Sequence, residues 1–380
     1  MRRAILISIL LIISIILGYF TSDRYVDIMY SVGLSAKDIV VFFVPFIIFL
    51  LITGSLMKLQ GNIFRPLSIT FLMIVLSNAL VILIGYTCAY FLHKYIHIPI
   101  IQIPDTTQAT SFIRIKPLLS SIQALISSVL FTTYMRFLIR NDALSDKVIK
   151  YMQILNSFII RKLVLPLLPI FISCFIIRTV HDKILFSMIS QYLVLFLVIV
   201  FIVYLYLFIL AVLIVKDNLL FSIKELSAPA MLSMVTLSSN IAIVLLLNSV
   251  KNIRQKMDLT NKTSEIVLPA TINFHLIGDG IGLPIISLMC LYSFTGHFPT
   301  ISEFIIVAFH LLIAKFAVVS IPGGTIMVLA PVFIKYLGFS DVIVNIVMLI
   351  DILLFDFILT PANVIGNGLL GILIDKLNSK

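Results

Sequence analysis

The chain has 380 residues, of which 61% are hydrophobic and only 12% are charged, with a formal net charge of +10. A soluble protein needs about twice that charged fraction to cover its surface, so most of this surface must face lipid. The basic residues lie between apolar segments and form no single patch, which excludes a nucleic-acid partner. Three isolated cysteines and six dispersed histidines favour neither disulfides nor a metal site, an alkali cation such as sodium excepted.

The first 216 residues contain six apolar segments that approach the roughly 20 residues a membrane-spanning helix requires. They lie at residues 4–20, 39–57, 67–93, 117–139, 154–177 and 185–215. The first resembles a signal peptide, but no small-residue cleavage site follows it, and we interpret it as a transmembrane helix. Lys and Arg are more frequent in the N-terminal and every second connecting segment, which predicts that both termini are cytoplasmic.

After residue 216 the apolar runs become short and are interrupted by Gly, Pro and small polar residues. The interruptions lie at residues 236–240, 269–273, 278–280, 320–325 and 360–363. Irregular backbone at membrane depth is tolerated only inside protein or beside a watery cavity. One interruption is usually a helix kink, but five in succession predict inverted repeats of a re-entrant hairpin and a broken helix. The pattern thus predicts an all-α integral membrane protein with a binding site among broken helices.

Several segments occur in the order and spacing of a known family. They are residues 44–54, residues 217–239, Leu268–Asn273 (LPATIN), Pro322–Gly324 and Asn363–Gly366 (NVIG). In these segments the chain resembles the dicarboxylate/amino acid:cation symporters, the glutamate transporter homologues. The resemblance extends over nearly the whole chain. The resemblance implies eight transmembrane helices plus two re-entrant hairpins. It also implies a secondary active transporter, not an enzyme, that moves a small amino acid or carboxylate by an elevator mechanism.

The resemblance further assigns parts of the chain to two domains. Residues 1–66 would hold scaffold helices 1 and 2, residues 67–100 helix 3 of the transport domain, and residues 101–180 scaffold helices 4 and 5. Residues 181–216 would form helix 6 of the transport domain, and residues 217–380 the transport core. The implied partners are a small-molecule substrate, membrane lipid and two further copies in a homotrimer of the cell inner membrane. No cofactor is implied beyond Na⁺ or H⁺ as coupling ion.

Family positions that bind substrate fall on both hairpin tips and on the eighth helix. The matching residues are Ser238, Ser239, Asn240, Thr325, Asp356, Leu359, Thr360 and Asn363. At the first tip, hydroxyls and helix-start N–H groups suit a carboxylate, although small residues there also let hairpin arms pack closely. An acid within an apolar span is costly to bury, which favours Asp356 as the partner of an ammonium group over a structural role. The gate of the second hairpin matches Ile321, Pro322, Gly323 and Gly324.

Cation positions of the family fall on the seventh and eighth helices. The matching residues are Pro269, Thr271, Asn273, His275, Asp279, Asn363 and Asn367. Asn367 stands where the family has an aspartate on the eighth helix. The aspartate of the seventh helix is replaced by His275 in one register, and in the other register it is kept as Asp279, four residues later. In either register we expect His275 and Asp279 to share a helical face. The loss weakens a sodium site, and His275 with Asp279 offers a proton site instead.

Two further residues depart from the family pattern or bear on its cation sites. Leu359 stands where the family has an arginine, so no guanidinium is present to clamp an acidic side chain, which favours a neutral substrate. Lys315 precedes the second hairpin tip, in a region that forms a sodium site in the family. Its ammonium either takes the place of the cation, making transport uncoupled, or snorkels to the interface, which is the favoured interpretation.

Other functional classes are disfavoured by missing motifs. The sequence has no GxxxxGK[ST] loop for a nucleotide-driven pump, and no HExxH or GxSxG motif for an intramembrane enzyme. A transport-inactive structural protein with the same fold remains an alternative.

Overall fold

The computed structural model describes residues 2–57, 64–96, 111–113, 115, 117–119, 121–138, 142–315 and 324–378, in which all regular elements are helical. The helices are α1 (Arg2–Phe20), α2 (Asp23–Met57), α3 (Phe64–Tyr95), α4 (Ser121–Leu138), α5 (Asp142–Phe158), α6 (Leu165–His181), α7 (Ile184–Val215), α8 (Leu219–Thr236), α9 (Ser239–Lys256), α10 (Thr263–Thr271), α11 (Ile277–Thr295), α12 (Ile301–Lys315), α13 (Gly324–Leu337), α14 (Asp341–Ile350) and α15 (Asp356–Asn378). π-Helical segments Ile159–Val164 and Asp351–Phe355 join α5 to α6 and α14 to α15.

Within these ranges, six stretches are long and apolar enough to cross a membrane. They are Asp23–Gly54, Ile69–Tyr95, Lys147–His181, Tyr192–Thr236, Ile277–Thr295 and Ile343–Asn378. The predicted all-α architecture is therefore confirmed. Two helices begin well before the predicted spans, α2 at Asp23 and α5 at Asp142. Polar residues in the first part of each helix explain both differences. Hydropathy marks only the apolar part of a helix, whereas helical backbone hydrogen bonds also form through polar residues.

The chain forms two compact units. The first consists of Met1–Leu59 and Ile98–Leu193, and the second consists of Gln60–His97 and Val194–Lys380. α7 therefore contributes its first residues to one unit and the remainder to the other.

In the first unit, α2 packs against both α4 and α6. Gly33 of α2 permits close packing with α6, because a Cβ there would lie 2.6 Å from Cβ of Cys174. The buried Cys174 thus acts as a small core residue, as its isolated position predicts. At the end of α6, Arg178 donates to Asp27 of α2 and, at 2.7 Å, to Asp182. These ion pairs fix the start of α2 to the end of α6.

In the second unit, α8 and α9 form one packed helix pair and α12 and α13 form another. Leu237, in the left-handed conformation with φ 48°, turns the chain between α8 and α9. α15 packs against α8, α9, α10 and α11, and α3 packs against α11. Most residues of α11 and α15 are buried, so these two helices form the centre of the unit.

The positions of the predicted helix breaks need correction. α15 continues through Thr360–Asn363 with Pro361 in its interior, so the expected break there is wrong. Gly278–Gly280 lies in the first turn of α11 and is also helical. The interruption of the seventh span lies instead at residues 272–276, called the α10–α11 gap below. A proline removes one backbone donor, and packing against neighbouring helices can hold the helix together around it.

Candidate functional site

The α10–α11 gap exposes backbone carbonyls that side chains from three other helices bind. Nδ2 of Asn78, on α3, donates to the carbonyl of Phe274 at 2.7 Å. Nδ2 of Asn367, on α15, donates to the carbonyl of His275 at 2.8 Å, and Nζ of Lys315, on α12, donates to that of Leu276 at 2.8 Å. Since unpaired backbone groups are costly away from water, these donors make the irregular segment tolerable inside the protein.

Lys315 is fully buried, with 0% of its surface exposed. Its ammonium also donates to Oδ1 of Asn78 at 3.2 Å, in addition to the Leu276 carbonyl. The expectation that Lys315 snorkels to the membrane interface is therefore wrong. Snorkelling needs a path from the helix surface to water, whereas this side chain points into the packed unit.

His275 lies in the gap and not on a helix. Its Nε2 is 2.9 Å from Oγ of Ser77, and its Nδ1 has no hydrogen-bond partner in the described part of the chain. Because α11 begins only at Ile277, His275 and Asp279 are not on one helical face, and that expectation is wrong. His275 contacts α3, while Asp279 bonds to α13 and α15.

Asp279 is the centre of a polar cluster built by three helices. Nδ2 of Asn363, on α15, donates to its Oδ1 at 2.8 Å, and the Asp279 N–H donates to Oδ1 of Asn363 at 3.3 Å. Oγ1 of Thr325, on α13, donates to its Oδ2 at 2.9 Å. Asp279 is partly exposed, whereas Thr325 and Asn363 are buried. The Asp279 cluster can therefore offer a carboxylate to a cation or an amine while being held by two neutral donors.

Asn367 donates from one side-chain nitrogen to several oxygens. Besides the His275 carbonyl, its Nδ2 donates at 2.8 Å to the carbonyl of Asn363, and it lies 3.5 Å from that of Ile272. Oδ1 of Asn367 is buried without a donor among the described residues. A side-chain N–H group thus faces the carbonyls of α15 and of the gap.

Asp356 lies at the start of α15 and is partly exposed. Its Oδ1 accepts a hydrogen bond of 2.8 Å from Oγ1 of Thr360, one turn further along the helix. The structure thus brings together two of the residues predicted for substrate binding. Asp351, five residues earlier, is 5% exposed and was not predicted.

Leu359 packs between α15 and α11 and is only 1% exposed. A Cβ on Gly278 would overlap the Leu359 carbonyl, and a Cβ on Gly282 would lie 2.7 Å from both Leu359 methyl carbons. The two glycines therefore make room for Leu359, which acts as a packing residue between the two helices.

Replacing Leu359 by Arg is expected to destabilise the fold by about 3–5 kcal/mol, because it forces a larger, charged side chain into the buried space beside Gly278 and Gly282. Leu359→Met is the matched control and should cost less than about 1.5 kcal/mol, since the volume is conserved. Chemical unfolding in mixed micelles measures both. An Arg variant as stable as the Met variant would show that this position opens to water or to an acid.

The remaining predicted residues are placed separately. Ser238 precedes α9 in an extended conformation, Ser239 is buried and Asn240 is exposed. Thr271 donates to the Val267 carbonyl of its own helix at 3.0 Å, and Pro269 is exposed. Asn273 lies in the gap, partly exposed. Gly324 begins α13, and the other gate residues, Ile321, Pro322 and Gly323, lie outside the described residues.

Three residues at or near the site were missed by sequence reasoning: Ser77, Asn78 and Asp351. The signal was present in the sequence, since Ser77 and Asn78 interrupt the apolar segment 67–93 and Asp351 interrupts a later apolar run. Polar residues within a span are functional candidates by default. Among the described residues, no group of three or more His, Cys, Asp or Glu side chains could hold a metal ion.

The six apolar spans among the described residues indicate a multi-pass membrane protein. The sequence profile of the sodium:dicarboxylate symporter family matches residues 4–377, and the chain belongs to this family. The resemblance found in the sequence is thereby confirmed. The family consists of transporters and not of enzymes. No curated protein sequence matches the chain.

Proposed function

We propose that the protein is a secondary active transporter that moves a small amino acid or carboxylate across the membrane by an elevator mechanism. The observation that carries this proposal is the Asp279 cluster, where α11, α13 and α15 bring a carboxylate, an amide and a hydroxyl together. In the resembled family, substrate and cation bind among these elements. A carboxylate that is partly exposed inside such a core provides a charged group for binding.

The division into two compact units supports the elevator mechanism. An elevator requires one part of the chain to move as a body, and the second unit contains α3, most of α7 and all later elements. These are the elements that the resemblance assigns to the transport domain. We propose that the packed pairs α8/α9 and α12/α13 are its two re-entrant hairpins, and that Ser238, Ser239 and Asn240 form the first tip and residues 321–324 the gate.

The assembly and location are part of the same proposal. We propose that the chain forms a homotrimer in the cell inner membrane, surrounded by lipid, with both termini in the cytoplasm. The excess of Lys and Arg in the N-terminal and alternate connecting segments supports this orientation. The family name supports Na⁺ as the coupling ion, and H⁺ is the coupling ion if the Lys315 side chain takes the place of sodium.

We propose that the substrate is neutral. Support comes from Leu359, which is apolar, buried and packed on α11 where the family has an arginine. Without a guanidinium, an acidic side chain would lose a bidentate ion pair. Asp356, bonded to Thr360, then receives the ammonium group of the amino acid, and the first tip receives its carboxylate.

Competition of uptake tests the substrate class. In proteoliposomes, unlabelled leucine or serine is expected to inhibit uptake of the labelled neutral amino acid at least about tenfold more strongly than aspartate or glutamate, because a lost charged hydrogen bond costs about 1.5–3 kcal/mol. Equal inhibition by the acids would contradict a neutral substrate. Uptake in the Leu359→Met protein serves as the control.

One observation favours an uncoupled transporter as a second candidate. The fully buried ammonium of Lys315 lies at the carbonyls of the α10–α11 gap, where broken-helix transporters hold a coupling ion.

A further inference from the structure

The carbonyls of the α10–α11 gap already have side-chain donors. Asn78 donates to Phe274, Asn367 to His275, and Lys315 to Leu276. Unwound carbonyls of this kind coordinate sodium in other transporters because each presents a partial negative charge. In this chain the same carbonyls face N–H groups, and one of those groups is the side-chain nitrogen of a lysine.

The site of the Lys315 ammonium is built to hold it. The group bonds to two oxygens, the Leu276 carbonyl at 2.8 Å and Oδ1 of Asn78 at 3.2 Å, with no exposure. Gly280 keeps the position open, because a Cβ at that residue would overlap Nζ of Lys315 and a methyl group of Val81. Asn78 in turn is fixed by its bonds to Phe274 and Leu276. Oxygen ligands, burial and a fitted space are also what a bound alkali cation needs.

We propose that the Lys315 ammonium is the resident cation of the α10–α11 gap, in the place that a sodium ion would otherwise take. The gap consequently binds no sodium, and the movement of the transport domain needs none at this position. The negative charge of Asp279, next to Gly280 on α11, is balanced by a cation that belongs to the chain. This inference rests on the proposed transport function only for its consequence, sodium-independent uptake.

Sodium-dependent thermal stability tests the inference without any transport assay. The purified full chain is heated in detergent with sodium chloride or choline chloride at equal ionic strength. A ligand that binds only the folded state raises the unfolding temperature. Since the wild-type gap is proposed to bind no sodium, the wild-type unfolding midpoint is expected to agree within about 1 °C between the two salts. A higher wild-type midpoint in sodium would overturn the proposal, even if no variant folds.

Lys315→Gln removes the charge and shortens the side chain by one atom. This variant should acquire sodium affinity at the vacated oxygens, so its midpoint is expected to rise by roughly 2–4 °C in sodium over choline. Lys335→Gln is the matched control, since Lys335 lies exposed on α13, and it should behave as wild type. A folded Lys315→Gln protein that is indifferent to sodium would overturn the proposal. Absence of uptake in either protein would contradict the transport function and leave this result unaffected.

Discussion

Asp279→Asn is expected to reduce substrate uptake roughly 10- to 100-fold, the largest functional effect of any single substitution proposed for this protein. The carboxylate accepts from both Asn363 and Thr325, and a hydrogen bond to a charged group contributes about 1.5–3 kcal/mol. The amide variant keeps one acceptor oxygen and turns an N–H group toward the other donor. It also removes the negative charge that the proposed mechanism uses. Initial uptake rates in proteoliposomes measure the loss.

Asp258→Asn provides the matched control for this variant. Asp258 is exposed after α9 and has a positive φ of 53°, a conformation that asparagine also tolerates. Its uptake should equal that of wild type. If Asp279→Asn is folded and transports within about twofold of wild type, the Asp279 cluster is structural and the proposed site is wrong, because twofold corresponds to far less than one charged hydrogen bond.

Arg254→Met is expected to destabilise the second unit by about 3–5 kcal/mol, the largest expected effect on stability. Nη2 of Arg254, on α9, donates to Glu265 at 2.7 Å, and its Nη1 lies 3.7 Å from the fully buried Asp375 of α15. Asp375 also accepts from the N–H of Ser264 at 2.8 Å. The substitution leaves the buried carboxylate without its guanidinium, although the methionine conserves most of the apolar volume.

Unfolding in mixed micelles measures the effect, with Lys256→Met as the exposed control on the same helix. The double variant Arg254→Met with Asp375→Asn should recover part of the loss, because the buried charge is then absent. The guanidinium also lowers the pKa of Glu265 through its hydrogen bond. A carboxyl group whose pKa is lowered in the folded protein stabilises the fold at pH values above its pKa in the unfolded chain. In the wild type this stabilisation is lost as the pH falls, and in the Arg254→Met variant it is absent at every pH. A stability loss below about 1 kcal/mol would show that the network contributes no more than a surface ion pair.

The sequence predicts the helical class and the family because both depend on patterns spread over the whole chain. It locates a break in the seventh span near Asn273, since Pro269 and small polar residues mark it. It misplaces the break at Thr360–Asn363, because Pro361 is held in a continuous α15 by packing on four other helices. Burial by distant neighbours is not encoded in a local pattern.

Lys315 and Asn78 show the same limit at the level of single side chains. A lysine near the end of an apolar helix is usually assumed to reach water, and only tertiary structure reveals that its ammonium meets the carbonyl of a residue 39 positions earlier. Ser77 and Asn78 interrupt an otherwise apolar span, and that signal was visible in the sequence. Their partners were not predictable, because they lie about 200 residues further along the chain.

Uptake by the purified wild-type protein in proteoliposomes, with sodium and pH gradients imposed separately, tests whether the protein transports a neutral amino acid without sodium. We expect saturable uptake of a neutral amino acid such as leucine or serine that changes less than about twofold when the sodium gradient is removed, because the α10–α11 gap holds its own cation. Absence of uptake of any amino or dicarboxylic acid above protein-free liposomes, under every gradient, would contradict it.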